Sequence, residues 1–151
     1  MTTTFPRGSM PDFDISPSGP LRIGIGDGPD GALRVRAVDL RAVAQRVAAV
    51  RTEHPGVVAV VDIDVMIADE AQLARATLAR LGNERGDTLL YVGTPSGLAG
   101  LIADIHALGI ADGAVLLPVS DAARDLIYRD VLPLLSTMGP MPSLTREPRP
   151  A

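Results

Sequence analysis

The chain contains no cysteine, no lysine and no tryptophan, and its 151 residues include only two phenylalanines and two tyrosines. Without cysteine there is no disulfide framework, no thiol nucleophile and no thiolate metal site. With so few aromatic rings the core has to be aliphatic, built from Val, Leu, Ile and Ala. All 14 basic residues are Arg. They are scattered along a chain of formal net charge −4, so no basic stripe for nucleic acid is formed. No apolar run reaches the length of a membrane span, and the amino-terminus lacks the apolar region of a signal. These exclusions lead to the expectation of a soluble, cytoplasmic protein without nucleic-acid or membrane partners.

What remains is enough for one domain that buries about two-thirds of its unfolded surface. Residues 1–20, rich in Pro, Gly, Ser and Thr, read as a flexible arm, and the Pro-rich residues 136–151 as a tail. The α/β domain is expected over 21–135. It opens with a short strand, Leu21 to Ile25. The Gly-rich loop Gly26–Gly31 follows. A phosphate cradle needs such a loop to run into a helix, but Ala32 to Val38 alternates at period two and reads as a strand. A turn between two strands is therefore the favoured reading.

Asp39 has the character of a helix cap, and Leu40, Val43, Ala44, Val47 and Val50 form the apolar stripe of the helix after it. His54, Pro55 and Gly56 end that helix. Val57 to Ile67 is the strongest strand. Its first half is continuously apolar, as in a parallel sheet covered on both faces. Its second half alternates, with Asp62 and Asp64 on one face and Ile63 and Val65 on the other. These two carboxylates are ligand-pocket candidates, because parallel sheets bind ligands at strand carboxyl ends. They can hold a cation or tune each other's proton affinity. The alternative is that they face solvent or cap loops, and it is favoured because a hard cation needs more oxygens than these two supply.

A second amphipathic helix is expected over Ala68 to Leu81, with Leu73, Ala74, Thr77, Leu78 and Leu81 inward. Residues 87–118 then read as a complete strand–helix–strand unit. Thr88 to Val92 form the first strand, Thr94–Pro95 supplies a helix start, and Leu98, Leu101, Ile102, Ile105 and Leu108 share a face. Ala114 to Leu117 form the next strand. A helix-length connection between apolar strands favours a parallel crossover. Ser120 caps a final helix with Ala123, Ile127, Val131 and Leu134 inward and Pro133 limiting it. The alternation of strands and helices specifies an α/β fold with a mostly parallel sheet. His54 and His106 read as surface or packing residues rather than as a ligand and a base.

The order of these pieces resembles the last β–α–β–α segment of luciferase-like, flavin-dependent monooxygenases. The matching residues are Gly93, Thr94 and Pro95 at the helix start, Asp112 and Gly113 at the final strand, and Val131, Leu132 and Pro133 in the closing helix. The likeness covers 87–135 and extends more weakly back to Leu40. It implies a fold like the carboxy-terminal half of a TIM (β/α)8 barrel. It also implies FMN or a related reduced flavin as cofactor, with Gly93 and Thr94 as the cofactor-binding candidates. As a family member the chain is expected to be truncated and inactive alone. The alternative is a non-catalytic α/β subunit or binding module. The family's amino-terminal half has no counterpart here, and no catalytic residue is carried over; no metal is expected.

A partial barrel leaves a parallel strand edge with unpaired N–H and C=O groups. Such a chain has three routes to satisfy it. It pairs with another copy, pairs with a partner subunit, or rearranges into an open sheet covered on both faces. A homo-oligomer or a partner chain is the expectation.

Overall fold

The computed structural model describes residues 20–82, 86–138 and 143–145. The remainder of the arm and of the tail lies outside these residues. In chain order the elements are β1 (Arg22–Ile25), β2 (Leu33–Val35), α1 (Leu40–Glu53), β3 (Ala59–Ile67), α2 (Ala71–Leu81), β4 (Leu89–Gly93) and α3 (Pro95–Ala107). Then follow β5 (Gly113–Pro118), α4 (Asp121–Leu126), a π-helical turn (Ile127–Val131), α5 (Leu132–Thr137) and β6 (Ser143–Thr145). The caps sit where the hydroxyls and carboxylates of the sequence place them. Asp39 accepts from the Ala42 N–H, Thr94 from Gly97 and Ser120 from Ala123.

The fold is α/β, with a mostly parallel sheet and helices alternating with the strands. Every pairing among the described strands is parallel. The order runs β6–β1–β5–β3, and β2 and β4 both pair with β3 as well. Because β5 covers Val60 to Val65 on one edge of β3, the other edge must hold β2 against Ala59–Val61 and β4 against Ile63–Ile67. In a (β/α)8 ring consecutive strands follow one another around the barrel. Here β5 lies between β3 and β1, with β4 on the far edge of β3. β3 is buried along nearly its whole length.

Asp112 and Gly113 sit at the junction of β1, β5 and β3. The Asp112 N–H donates to the Ala59 carbonyl at 2.7 Å, and its own carbonyl accepts from the Arg22 N–H at 3.0 Å. Its buried carboxylate accepts from the Ala59 N–H at 2.9 Å and from Arg51 at 3.2 Å. One residue thus fastens the starts of β3 and β1 to either side of β5. Gly113 then lets β1 come close, since a Cβ there would lie 1.7 Å from the Arg22 carbonyl oxygen.

One face of the sheet carries Ile23, Ile25, Val61, Ile63, Ala114 and Leu116, packed beneath α1, α3 and the last helix. Each such side chain, fully removed from water, contributes roughly 1.5–3 kcal/mol. On the other face Val60, Asp62 and Val115 are also inaccessible. There the Gly26–Gly31 loop folds back across the sheet. A Cβ on Gly24 would meet the Asp27 carbonyl oxygen at 2.1 Å, and one on Gly28 a Val115 methyl at 3.5 Å. The loop joins two strands that do not pair with each other, so it is no hairpin.

Several expected positions shift. Leu73 and Leu81 of α2 are more than half exposed, and Leu108 is 73% exposed. α2 buries chiefly Ala74, because it packs on the edge strand β4 and on β3 rather than over the sheet centre. In the last helix Ala123, Ile127, Val131 and Leu135 are buried, and Leu134 is partly buried against the same core. The Leu132 N–H reaches back five residues to the Ile127 carbonyl. This wider turn keeps residues four apart in line, and it accommodates Pro133, which has no N–H to give. Pro133 therefore does not end the helix, which runs on to Thr137. In the stretch read as a tail, Ser143–Thr145 forms β6 beside β1.

Candidate functional site

Parallel strands bring their outgoing loops to one end of the sheet, and ligands of open α/β folds bind there. At that end the Ala68 N–H donates to the Gly93 carbonyl, the Val119 N–H to Val65 and the Gly26 N–H to Leu116. The exits of β1, β3, β4 and β5 are therefore held level. A cleft of about 550 Å³ opens beside the exits of β3 and β4, lined by Asp69, Thr94, Pro95, Ser96, Arg129, Asp130, Pro133, Leu134 and Thr137.

Two features place its polar groups. Thr94 caps α3, its hydroxyl 3.2 Å from the Gly97 N–H and 3.3 Å from the Ser96 hydroxyl. The π turn carries Arg129 and Asp130 to the opposite wall. Arg129 grips Asp130 with Nε and Nη2 at 3.1 and 3.0 Å, and Nη2 also reaches Asp69 at 3.4 Å. The hydrogen bonds from Arg129 hold the Asp130 carboxyl below the usual carboxylate range, and those to Asp130 raise the guanidinium. Whatever this pair contributes is present above the ordinary Asp range and is lost as pH falls through the lowered folded value. An NMR titration of the Asp130 carboxyl carbon is expected to give a midpoint below that of free Asp. Arg129→Ala should bring it back up; an unchanged midpoint in that variant would remove the pairing.

The sequence-derived candidates divide between the two ends of this description. Thr94 lines the cleft. Gly93 is buried at the end of β4, where a side chain would strike the Tyr91 ring, with its hydroxyl at 2.5 Å. Asp62 and Asp64 do not line the cleft. Asp62 is fully buried and receives Arg34 Nε at 2.8 Å, Arg34 Nη2 at 3.2 Å and Arg36 Nε at 2.9 Å. Its hydrogen bonds to Arg34 raise that guanidinium further, against partial burial. Asp64 is half-buried beside Leu90 and Leu117. Asp62 thus neither faces solvent nor caps a loop; its oxygens are occupied by two arginines. The sequence carried a sign of this pairing. The period-two alternation of Ala32 to Val38 sets Arg34 and Arg36 on one face, and β2 lies in register with β3.

The remaining arrangements are structural. His106 is buried on α3. Among the described residues no three His, Cys, Asp or Glu side chains converge as a metal would need. Also among these residues, no helix is long and apolar enough to cross a membrane. No family model matches the sequence, and comparison with curated proteins finds no match.

The cap at Thr94 gives a direct test of how far the cleft wall depends on it. Thr94→Ala is expected to cost about 1 kcal/mol of stability, the usual loss for an N-cap hydroxyl. Chemical denaturation measures this, and a cost near zero would mean that the Gly97 N–H finds water as readily.

Proposed function

We propose that this chain is a cytoplasmic member of the luciferase-like, flavin-dependent monooxygenases that serves as a non-catalytic part of a larger assembly. The observation that carries the kinship is the contiguous β4–α3–β5–last-helix segment. Gly93-Thr94-Pro95 turns from strand into helix, Asp112-Gly113 opens the next strand, and Val131-Leu132-Pro133 lies in the closing helix. These residues, in this order along the chain, are what support the reading.

The cleft does not suit the cofactor. A flavin phosphate needs unopposed donors, whereas Arg129 is already engaged by Asp130 and Asp69, leaving two carboxylates against one guanidinium. A phosphate there would meet net negative charge. Among the described residues the lining also offers no aromatic ring to lie against an isoalloxazine. Asp62 is likewise unavailable as a base, with Arg34 and Arg36 bound to it. Flavin chemistry, which supplies activated oxygen in this family, is therefore assigned to a companion chain.

The test has two arms. Titration of FMN and of reduced FMN into the isolated chain is expected to give no saturable change in flavin fluorescence or absorbance. The assembly purified from its native host should carry a flavin absorbance spectrum. Stoichiometric flavin uptake with substrate oxygenation by the chain alone would overturn the non-catalytic role. A native assembly without flavin would overturn the kinship.

A further inference from the structure

We infer that two copies of this chain pair through the outer edge of β4, antiparallel about a two-fold axis at Tyr91. Among the described residues nothing pairs with that edge, because β4 is joined to β3 alone. A strand edge is satisfied by another strand, since its free N–H and C=O groups alternate at strand spacing. β4 also lacks the features that blunt natural edges. Leu89-Leu90-Tyr91-Val92-Gly93 has no charge and no proline. Its first four residues are only partly buried, while β1, β3 and β5 are largely closed from water.

The sequence of this edge is complementary to itself. Antiparallel pairing about Tyr91 sets Leu89 opposite Gly93 of the second copy, so a branched side chain meets a residue without one. Leu90 falls opposite Val92 on the other face. Charge agrees with this register. The chain is acidic overall, yet two copies meet here along an uncharged strand. The same register brings the exposed Asp87 beside Pro95 of the second copy, at the amino-terminal end of the thirteen-residue α3, where a helix favours negative charge. The two-fold axis stands perpendicular to the sheet, so the α2 helices flank each other on one side.

The inference rests on the proposal above only in giving the chain a role in an assembly. Sedimentation equilibrium of the full chain across the micromolar range should give twice the 15.8 kDa of one copy. Leu90→Lys is the informative variant, because Leu90 is half-buried yet not packed on the hydrophobic core. It should fold as the wild type does, by circular dichroism, and weaken association by about tenfold or more. Asp87→Lys should weaken it as well, through repulsion at the helix end. Amide exchange at Leu89–Gly93 should slow as concentration rises. A wild-type chain that stays monomeric would overturn the inference, as would a dimer that Leu90→Lys leaves intact. A dimer that never meets flavin keeps this pairing and removes only the kinship. Flavin uptake by a monomer does the reverse.

Discussion

Gly113→Ala is expected to destabilise the fold by about 3 kcal/mol or more. The added Cβ would lie 1.7 Å from the Arg22 carbonyl oxygen and 2.8 Å from the Arg22 nitrogen. Both are backbone atoms of β1, and no rotamer change can move them aside. Relief requires β1 to withdraw from β5, which breaks the ladder that pairs Arg22–Ile25 with Gly113–Leu116. It also strains the Arg22 N–H bond to Asp112. The midpoint of thermal unfolding should fall by on the order of 10 °C. Gly100→Ala in α3 serves as the control. Nothing lies within 4 Å of its new Cβ, so the exchange should stabilise the helix by roughly 0.5–1 kcal/mol. Equal effects at the two glycines would show that β1 does not press on β5 as described.

Arg34→Met should cost about 3 kcal/mol, and more than the loss of its partner Asp62. The asymmetry follows from where the charges sit. The Asp62 carboxylate has no exposure, while the Arg34 and Arg36 side chains keep 32% and 55%. Removing Arg34 takes away two of the three bonds to a buried charge, and the desolvated carboxylate is left with Arg36 alone. Removing the carboxylate instead frees two guanidinium groups that already reach water, so Asp62→Leu should cost only about 1–2 kcal/mol. The double variant should be less damaged than Arg34→Met, because no buried charge then remains. Urea denaturation of the three variants measures this ordering. If Arg34→Met proves milder than Asp62→Leu, Asp62 is not the buried partner.

Both effects arise where local pattern and tertiary geometry meet. Period two along β3 separates Asp62 and Asp64 from Ile63 and Val65, and that separation is present in the fold. The same rule applied to Ala32 to Val38 puts Arg34 and Arg36 on one face. Yet the meeting of Arg34 with Asp62 needs β2 to lie along β3, and no periodicity states which strands become neighbours. The contacts of Asp112 and Gly113 likewise depend on β1 and β3 lying on either side of β5.

The cleft shows the same division. Thr94-Pro95 announced a helix start, and the cap formed there. The facing wall did not follow from the sequence, because Pro133 reads as a stop in any α-helical pattern. The π turn absorbs the missing N–H, buries Leu135 beside the partly buried Leu134 and carries Arg129 and Asp130 into the cleft. A helix read at 3.6 residues per turn cannot anticipate this.

The sequence by itself determined the alternation of strands and helices, their caps and the aliphatic faces they bury, because these depend on neighbours within a few residues along the chain. Only the tertiary structure decided that β5 would lie between β1 and β3, that Asp62 would be enclosed by two arginines and that β4 would be left at an edge. Those outcomes depend on contacts between residues tens of positions apart, such as the close approach of Gly113 to Arg22 and the bonds of Asp112 to Ala59.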